Sequence, residues 1–126
     1  KIGRPLFPRG RTGMSEMVKF LKTGNCIAVL FDQVMGRGEP LSFFGKTAYT
    51  ATSVAQMAIK YEALLIPFFA ERQSDGFNFE LYFDNPVVHS KPAKMTQQLN
   101  DLLEQRVRTK MDQWLWTHKR WKNPKI

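Results

Sequence analysis

The strongest constraint on this chain is a break. Residues 27–31 read Ile-Ala-Val-Leu-Phe, wholly apolar, and the run stops at Asp32-Gln33. A short apolar run bounded by polar and turn residues suits a strand covered on both faces. Gly36, Gly38, Pro40 and Gly45 then follow closely. Their spacing predicts a loop of about fifteen residues with no regular element, a length that is usually functional inside a compact domain. An acid at the carboxyl end of a buried strand, leading into such a loop, stands where open α/β sheets place their ligands. Asp32 is therefore the leading acidic candidate. It can cap the strand by accepting loop N–H bonds, position a ligand group or orient a catalytic cation. Gln33 beside it can bond the loop or a ligand.

The rest of the chain alternates helical and extended patterns around this break. Ile2 to Pro8 reads as a short extended edge. Met14, Met17, Val18 and Leu21 fall at helical spacing over 14–22, with Thr12 or Ser15 to cap the start and Gly24 the end. A second helix is expected over 50–61, capped by Thr50. Ala63 to Ala70 reads as a second buried strand. Strand, helix and strand in this order predict a parallel crossover and an α/β layered domain. Ser74-Asp75-Gly76 is a turn signal. Phe77, Phe79, Leu81 and Phe83 then alternate with polar positions, so a hairpin with one buried face is expected. A third helix begins near Thr96 and buries Leu99, Leu102, Leu103, Val107 and Met111.

The chain of 126 residues is long enough for one domain with a core. A formal net charge of +8 favours anionic partners: nucleic acid, phosphorylated lipid, an anionic membrane face or an acidic carrier protein. The single cysteine, Cys26, excludes an internal disulfide, and its position before the apolar run predicts burial. No run approaches the roughly 20 apolar residues of a membrane span. The opening Lys1-Ile2-Gly3-Arg4 lacks an initiator Met and reads as the start of a fragment.

Several familiar chemistries have no motif here. There is no nucleophile elbow, no Cys-x-x-Cys, no His-Glu-x-x-His and no phosphate-cradling glycine-rich loop with lysine. Of the two histidines, His89 lies in a polar link and His118 in a basic run, and each reads as a surface residue. Arg9, Arg11 and Arg37 surround the expected ligand loop, and their planar forks suit phosphate or carboxylate. Phe43 and Phe44 are either core anchors or contacts for an acyl chain, whose methylenes each contribute about 0.8 kcal/mol on burial. The tail sets Trp114, Trp116 and Trp121 among Lys119, Arg120 and Lys122. That mixture suits a membrane interface, nucleic acid, or tryptophans packed on a core.

Taken in order, Asp32-Gln33, the glycine-bearing loop, Phe43-Phe44-Gly45, Ala48, Thr50, Ala55, Ala58, Ile66-Pro67 and Trp114-Leu-Trp-Thr-His-Lys-Arg-Trp-Lys resemble the lipid A biosynthesis late (lauroyl/myristoyl) acyltransferases of Gram-negative bacteria. The resemblance covers nearly the whole chain. It implies transfer of a fatty acyl group from acyl-carrier protein to a hydroxyl of a phosphorylated, Kdo-bearing lipid A precursor, at the cytoplasmic face of the inner membrane. It implies no metal and no cofactor, and no nucleic-acid partner. The fold it implies is the α/β layered fold of the glycerolipid acyltransferase type, here incomplete, with a mixed sheet and flanking helices.

The family's catalytic pair is His-x-x-x-x-Asp/Glu, in which the acid orients a histidine base. Neither histidine here fits, because Lys94 follows His89 and Asn123 follows His118 at that spacing. Residues 1–126 are therefore expected to be one domain, the carboxyl-terminal part of such an enzyme without its base, inactive alone. Asp32 carries over as a supporting acid. Gln33, Arg9, Arg11, Arg37, Phe43 and Phe44 are the expected substrate contacts. Trp116, Lys119, Arg120, Trp121 and Lys122 are the expected membrane or anion contacts. The competing readings are a basic nucleic-acid-binding module and a noncatalytic membrane-docking domain.

Overall fold

The computed structural model describes residues 5–8, 10–33 and 38–122. Its elements are α1 (Arg11–Lys22), β1 (Glu39–Phe43), β2 (Lys46–Thr50), α2 (Ser53–Lys60), β3 (Phe68–Arg72), β4 (Phe79–Phe83) and α3 (Pro92–Thr109), with a 3-10 turn at Met111–Gln113. The chain is mixed α/β. The strands form two separate two-stranded antiparallel sheets, β1-β2 and β3-β4.

The longest helix, α3, is the spine. Pro92 sits at its first turn, where a missing N–H costs nothing. Met95, Leu99, Leu103 and Val107 recur every fourth residue and are buried. The amino-terminal half of this stripe packs with Ala55, Ala58 and Val87, so α2 lies against α3. The carboxyl-terminal half packs with Phe43 and Ala48 from the first hairpin. Phe31 touches both clusters.

That hairpin replaces the expected long loop. Its register pairs Leu41 with Ala48 and Phe43 with Lys46, so the connection is only Phe44-Gly45. Both connecting residues have positive φ, 52° and 69°, the geometry of the tightest hairpin turn. Phe44 is not glycine and would resist this conformation. Its N–H donates to Glu104 Oε2 at 2.6 Å, and Arg108 lies over its ring at 4.7 Å. Gly38, just before β1, permits a close crossing: a Cβ there would stand 2.6 Å from the Thr50 backbone nitrogen.

Glutamine side chains serve both hairpins as substitute strands. Ser42 donates its N–H to Gln97 Oε1 at 2.8 Å, and Gln97 Nε2 donates to Ser42 O at 3.1 Å. Gln113 repeats the pattern on β3, accepting from Arg72 N at 2.8 Å and donating to Arg72 O at 3.0 Å. Each amide satisfies one outward-facing pair of backbone groups on an edge strand.

Other expectations need correction. Residues 27–31 make no strand, and Leu30 is 78% exposed. A strand needs a neighbouring ladder, and among the described residues none lies beside this run. Among the described residues the parallel crossover is absent for the same reason, since both ladders are antiparallel. Residues 63–67 are not a central strand. They run beside the chain after β4, through bonds such as Val87 N to Leu65 O at 2.8 Å. Cys26 is exposed because the run it precedes is not buried. Gly10 occupies the α1 N-cap position, with no side-chain cap bond from Thr12 or Ser15. Thr50 is a buried strand end, and α2 starts after Thr52. Met111 falls beyond α3 and is exposed.

The β3-β4 hairpin forms where the alternation placed it, but its burial is reversed. Phe68, Leu81, Phe79 and Phe83 share the exposed face. The opposite face, with Phe69 and Tyr82, is covered by Arg106 of α3, whose guanidinium lies 5.3 and 5.1 Å from those rings. Lys110 pairs with Glu71 at 3.0 Å on the same side.

Two predictions follow from this packing. Phe43→Ala removes a fully buried ring shared by the hairpin and α3, and urea unfolding should show a loss of about 3–5 kcal/mol. Glu104 is held ionised below its usual range, first by Arg108 and also by the Phe44 N–H, against some opposing desolvation. A depressed carboxyl stabilises the fold above its unfolded pKa and loses that contribution as pH falls through the folded value. Unfolding of Glu104→Gln should therefore differ most from the parent near neutral pH and converge with it in acid.

Candidate functional site

A cavity of about 200 Å³ is lined by Asp32, Gln33, Gln113, Trp114, Leu115 and His118. Two distant stretches build it. The first is the end of the 27–31 run. The second is the turn after α3, held by bonds such as Gln113 N to Lys110 O at 3.0 Å and His118 N to Leu115 O at 3.0 Å. Gln113 also clamps β3, so one cavity wall is tied to the second hairpin. The lining mixes a carboxyl group, an imidazole, two amides and an indole around an apolar leucine. It can accept and donate hydrogen bonds to a hydroxyl or carbonyl. Drug-sized ligands take pockets of about 300–1,000 Å³, so this volume suits one polar group of a larger substrate.

The same tail carries a buried cation. Arg120 is fully buried. Its Nη1 donates to Tyr49 O at 3.1 Å, and its Nη2 donates to Thr50 Oγ1 at 2.6 Å and Asn100 Oδ1 at 3.3 Å. The guanidinium lies 5.5 Å from the centre of the Phe43 ring. Burial lowers the Arg120 pKa, and the charge of Asp32 acts in the opposite direction. Arg120 Nε and Trp114 Nε1 are buried and have no hydrogen-bond partner among the described residues.

The sequence-derived candidates separate clearly. Asp32 and Gln33 share the cavity. Arg9 and Arg37 lie outside the described residues. Arg11 opens α1, is exposed and is not part of the lining. Phe43 is a core anchor, packed at 5.7 Å from Trp114 and stacked at 5.6 Å on Trp121. Phe44 is half-buried on the turn, edge-on to Phe43 at 4.9 Å. Trp121 donates its indole N–H to Phe43 O at 2.9 Å. Trp116 is half-exposed and donates to Met111 O at 2.7 Å. Lys119 and Lys122 are exposed, whereas Arg120 has two of its three nitrogens engaged inside the fold. His118, read as a surface residue, lies on the cavity with Asp32. Its place in a tail otherwise rich in tryptophan and cations gave no hint of that. Among the described residues no three His, Cys, Asp or Glu side chains converge on a metal site, and no helix is long and apolar enough to cross a membrane.

Arg120→Lys keeps a cation but loses the fork that reaches three acceptors. Chemical denaturation should show a cost of about 2 kcal/mol or more, because one amine cannot replace the guanidinium donors to both Tyr49 O and Asn100 Oδ1, whereas Thr50 Oγ1 keeps the Asn100 amide as a donor.

No curated protein matches the chain. The family model described as bacterial lipid A biosynthesis acyltransferase matches residues 2–123, nearly the full length. Asp32, Gln33 and the Gln113–His118 turn all fall within that match. The chain therefore belongs to the bacterial lipid A biosynthesis acyltransferase family, and membership supports acyl transfer in lipid A biosynthesis as its chemistry.

Proposed function

We propose that the enzyme transfers a fatty acyl group from acyl-carrier protein to a hydroxyl of a phosphorylated, Kdo-bearing lipid A precursor. The acceptor oxygen attacks the thioester carbonyl, an ester C–O bond forms, and the carrier thiolate leaves and takes up the proton lost by the hydroxyl. The observation that carries this reading is the cavity in which Asp32 faces the same space as Gln33, Trp114 and His118. Asp32 serves there as a supporting acid that accepts a hydrogen bond from the acceptor or orients a cationic group. The general base belongs to a His-x-x-x-x-Asp/Glu segment outside residues 1–126, and the layered acyltransferase fold is complete only with that segment. The net charge of +8 suits both an acidic carrier and a phosphorylated acceptor. Reaction takes place at the cytoplasmic face of the inner membrane, with Trp116, Lys119 and Lys122 turned toward anionic lipid.

A second reading has one specific observation in its favour. His118 shares the cavity with Asp32, which makes it a candidate base within this chain. Assays with an acyl-carrier-protein thioester and a Kdo-bearing lipid A precursor separate the two. On the first reading residues 1–126 alone show no turnover, a longer polypeptide carrying the upstream histidine segment restores it, and Asp32→Asn lowers kcat by about 100-fold or more. Turnover by residues 1–126 that His118→Ala abolishes would establish the second. Should the longer polypeptide, with Asp32 intact, acylate no lipid A precursor, both readings fail.

A further inference from the structure

The segment after α3 that lines the cavity is held at both ends. Its far end is Arg120, buried and bonded to Tyr49 O, Thr50 Oγ1 and Asn100 Oδ1. Its near end is Gln113, which accepts from Arg72 N at 2.8 Å and donates to Arg72 O at 3.0 Å. Lys110, three residues earlier, pairs with Glu71 at 3.0 Å and adds a second tie to β3. Between the anchors the chain bonds to itself. Trp116 donates its backbone N–H to Trp114 O at 2.9 Å and its indole N–H to Met111 O at 2.7 Å. His118 N donates to Leu115 O at 3.0 Å, and Arg120 N donates to His118 O at 2.8 Å. Trp114, Leu115 and His118, which line the cavity with Asp32, all lie within this span.

Both polar atoms of the Gln113 side chain are engaged by one strand residue, yet Gln113 is itself part of the cavity lining. We propose that Gln113 is a positioning residue for acyl transfer: by clamping the backbone of Arg72 it sets where Trp114 and His118 stand relative to Asp32. The role rests on the acyl-transfer reading. Gln97 supplies the comparison. Its amide makes the same two bonds to Ser42, at 2.8 and 3.1 Å, but it does not line the cavity. A clamp that only secures a hairpin would matter equally at both positions. Both clamps are exposed, so water can take over the freed backbone groups and folding survives the loss. Geometry at a reacting site is less forgiving, since a misplacement of about 1 Å can cost about 100-fold in rate.

Gln113→Met and Gln97→Met keep an unbranched side chain of the same length and remove both bonds. They are compared in the longer polypeptide that carries the upstream histidine segment, with an acyl-carrier-protein thioester and a Kdo-bearing lipid A precursor. Gln113→Met should lower kcat by about tenfold or more while KM stays within about twofold of the parent. Gln113→Asn, an amide one methylene too short to bridge Arg72, should behave in the same way. Gln97→Met should leave kcat and KM near the parent. Hydrogen exchange at the Trp116 and His118 amides should quicken in the two Gln113 variants and not in Gln97→Met, with far-UV circular dichroism unchanged in all three. Parental kcat in either Gln113 variant, equal losses at Gln113 and Gln97, unchanged exchange at those amides, or loss of the folded spectrum in both Gln113 variants would overturn the proposal and leave the acyl-transfer reading standing. A parent polypeptide that acylates no lipid A precursor would overturn that reading, and this role with it.

Discussion

The structure depends on one buried guanidinium. Arg120 reaches the carbonyl of Tyr49, the hydroxyl of Thr50 and the side-chain oxygen of Asn100. It thereby joins the tail, β2 and α3, segments far apart in sequence. A charge taken out of water is costly unless its donors find acceptors. Here two nitrogens of the fork have them, Phe43 lies alongside, and Asp32 supplies opposing charge nearby. The tail is held against the core by this contact and by Trp121 stacked on Phe43.

The cavity lies between the tail and the end of the 27–31 run. The turn after α3 carries Gln113, Trp114, Leu115 and His118, and it lines the cavity with Asp32 and Gln33. Gln113 couples that wall to β3 as Gln97 couples α3 to β1. Two amide side chains thus take the place of neighbouring strands, which lets small hairpins survive without a larger sheet.

Membership of the lipid A biosynthesis acyltransferase family points to acyl transfer onto a substrate much larger than the cavity. The cavity of about 200 Å³, with a carboxyl group and an imidazole in its lining, can hold one polar group of such a substrate. The indole N–H of Trp114 is buried and without a partner among the described residues. The exposed lysines of the tail stand next in sequence to the buried Arg120, so the same segment faces both core and solvent.

Local patterns determined much by themselves. The four-residue recurrence of apolar positions over 95–107 makes an amphipathic helix wherever it is placed. Ser74-Asp75-Gly76 dictates its turn, because Asp75 can accept from the N–H groups of Phe77 and Asn78. The family was legible in the order of short motifs, and Asp32 stood out by its position after an apolar run. Tertiary structure alone decided the rest. Phe44-Gly45 could be loop or hairpin until Glu104 and Arg108 held Phe44 at positive φ. Alternation along β4 gives two faces but not which one is covered, and Arg106 of α3 chose the Phe69–Tyr82 side. Arg120 and Lys119 are both cations in the sequence, yet one is core and the other surface. Periodicity records which residues share a face, whereas burial depends on what distant segment arrives there.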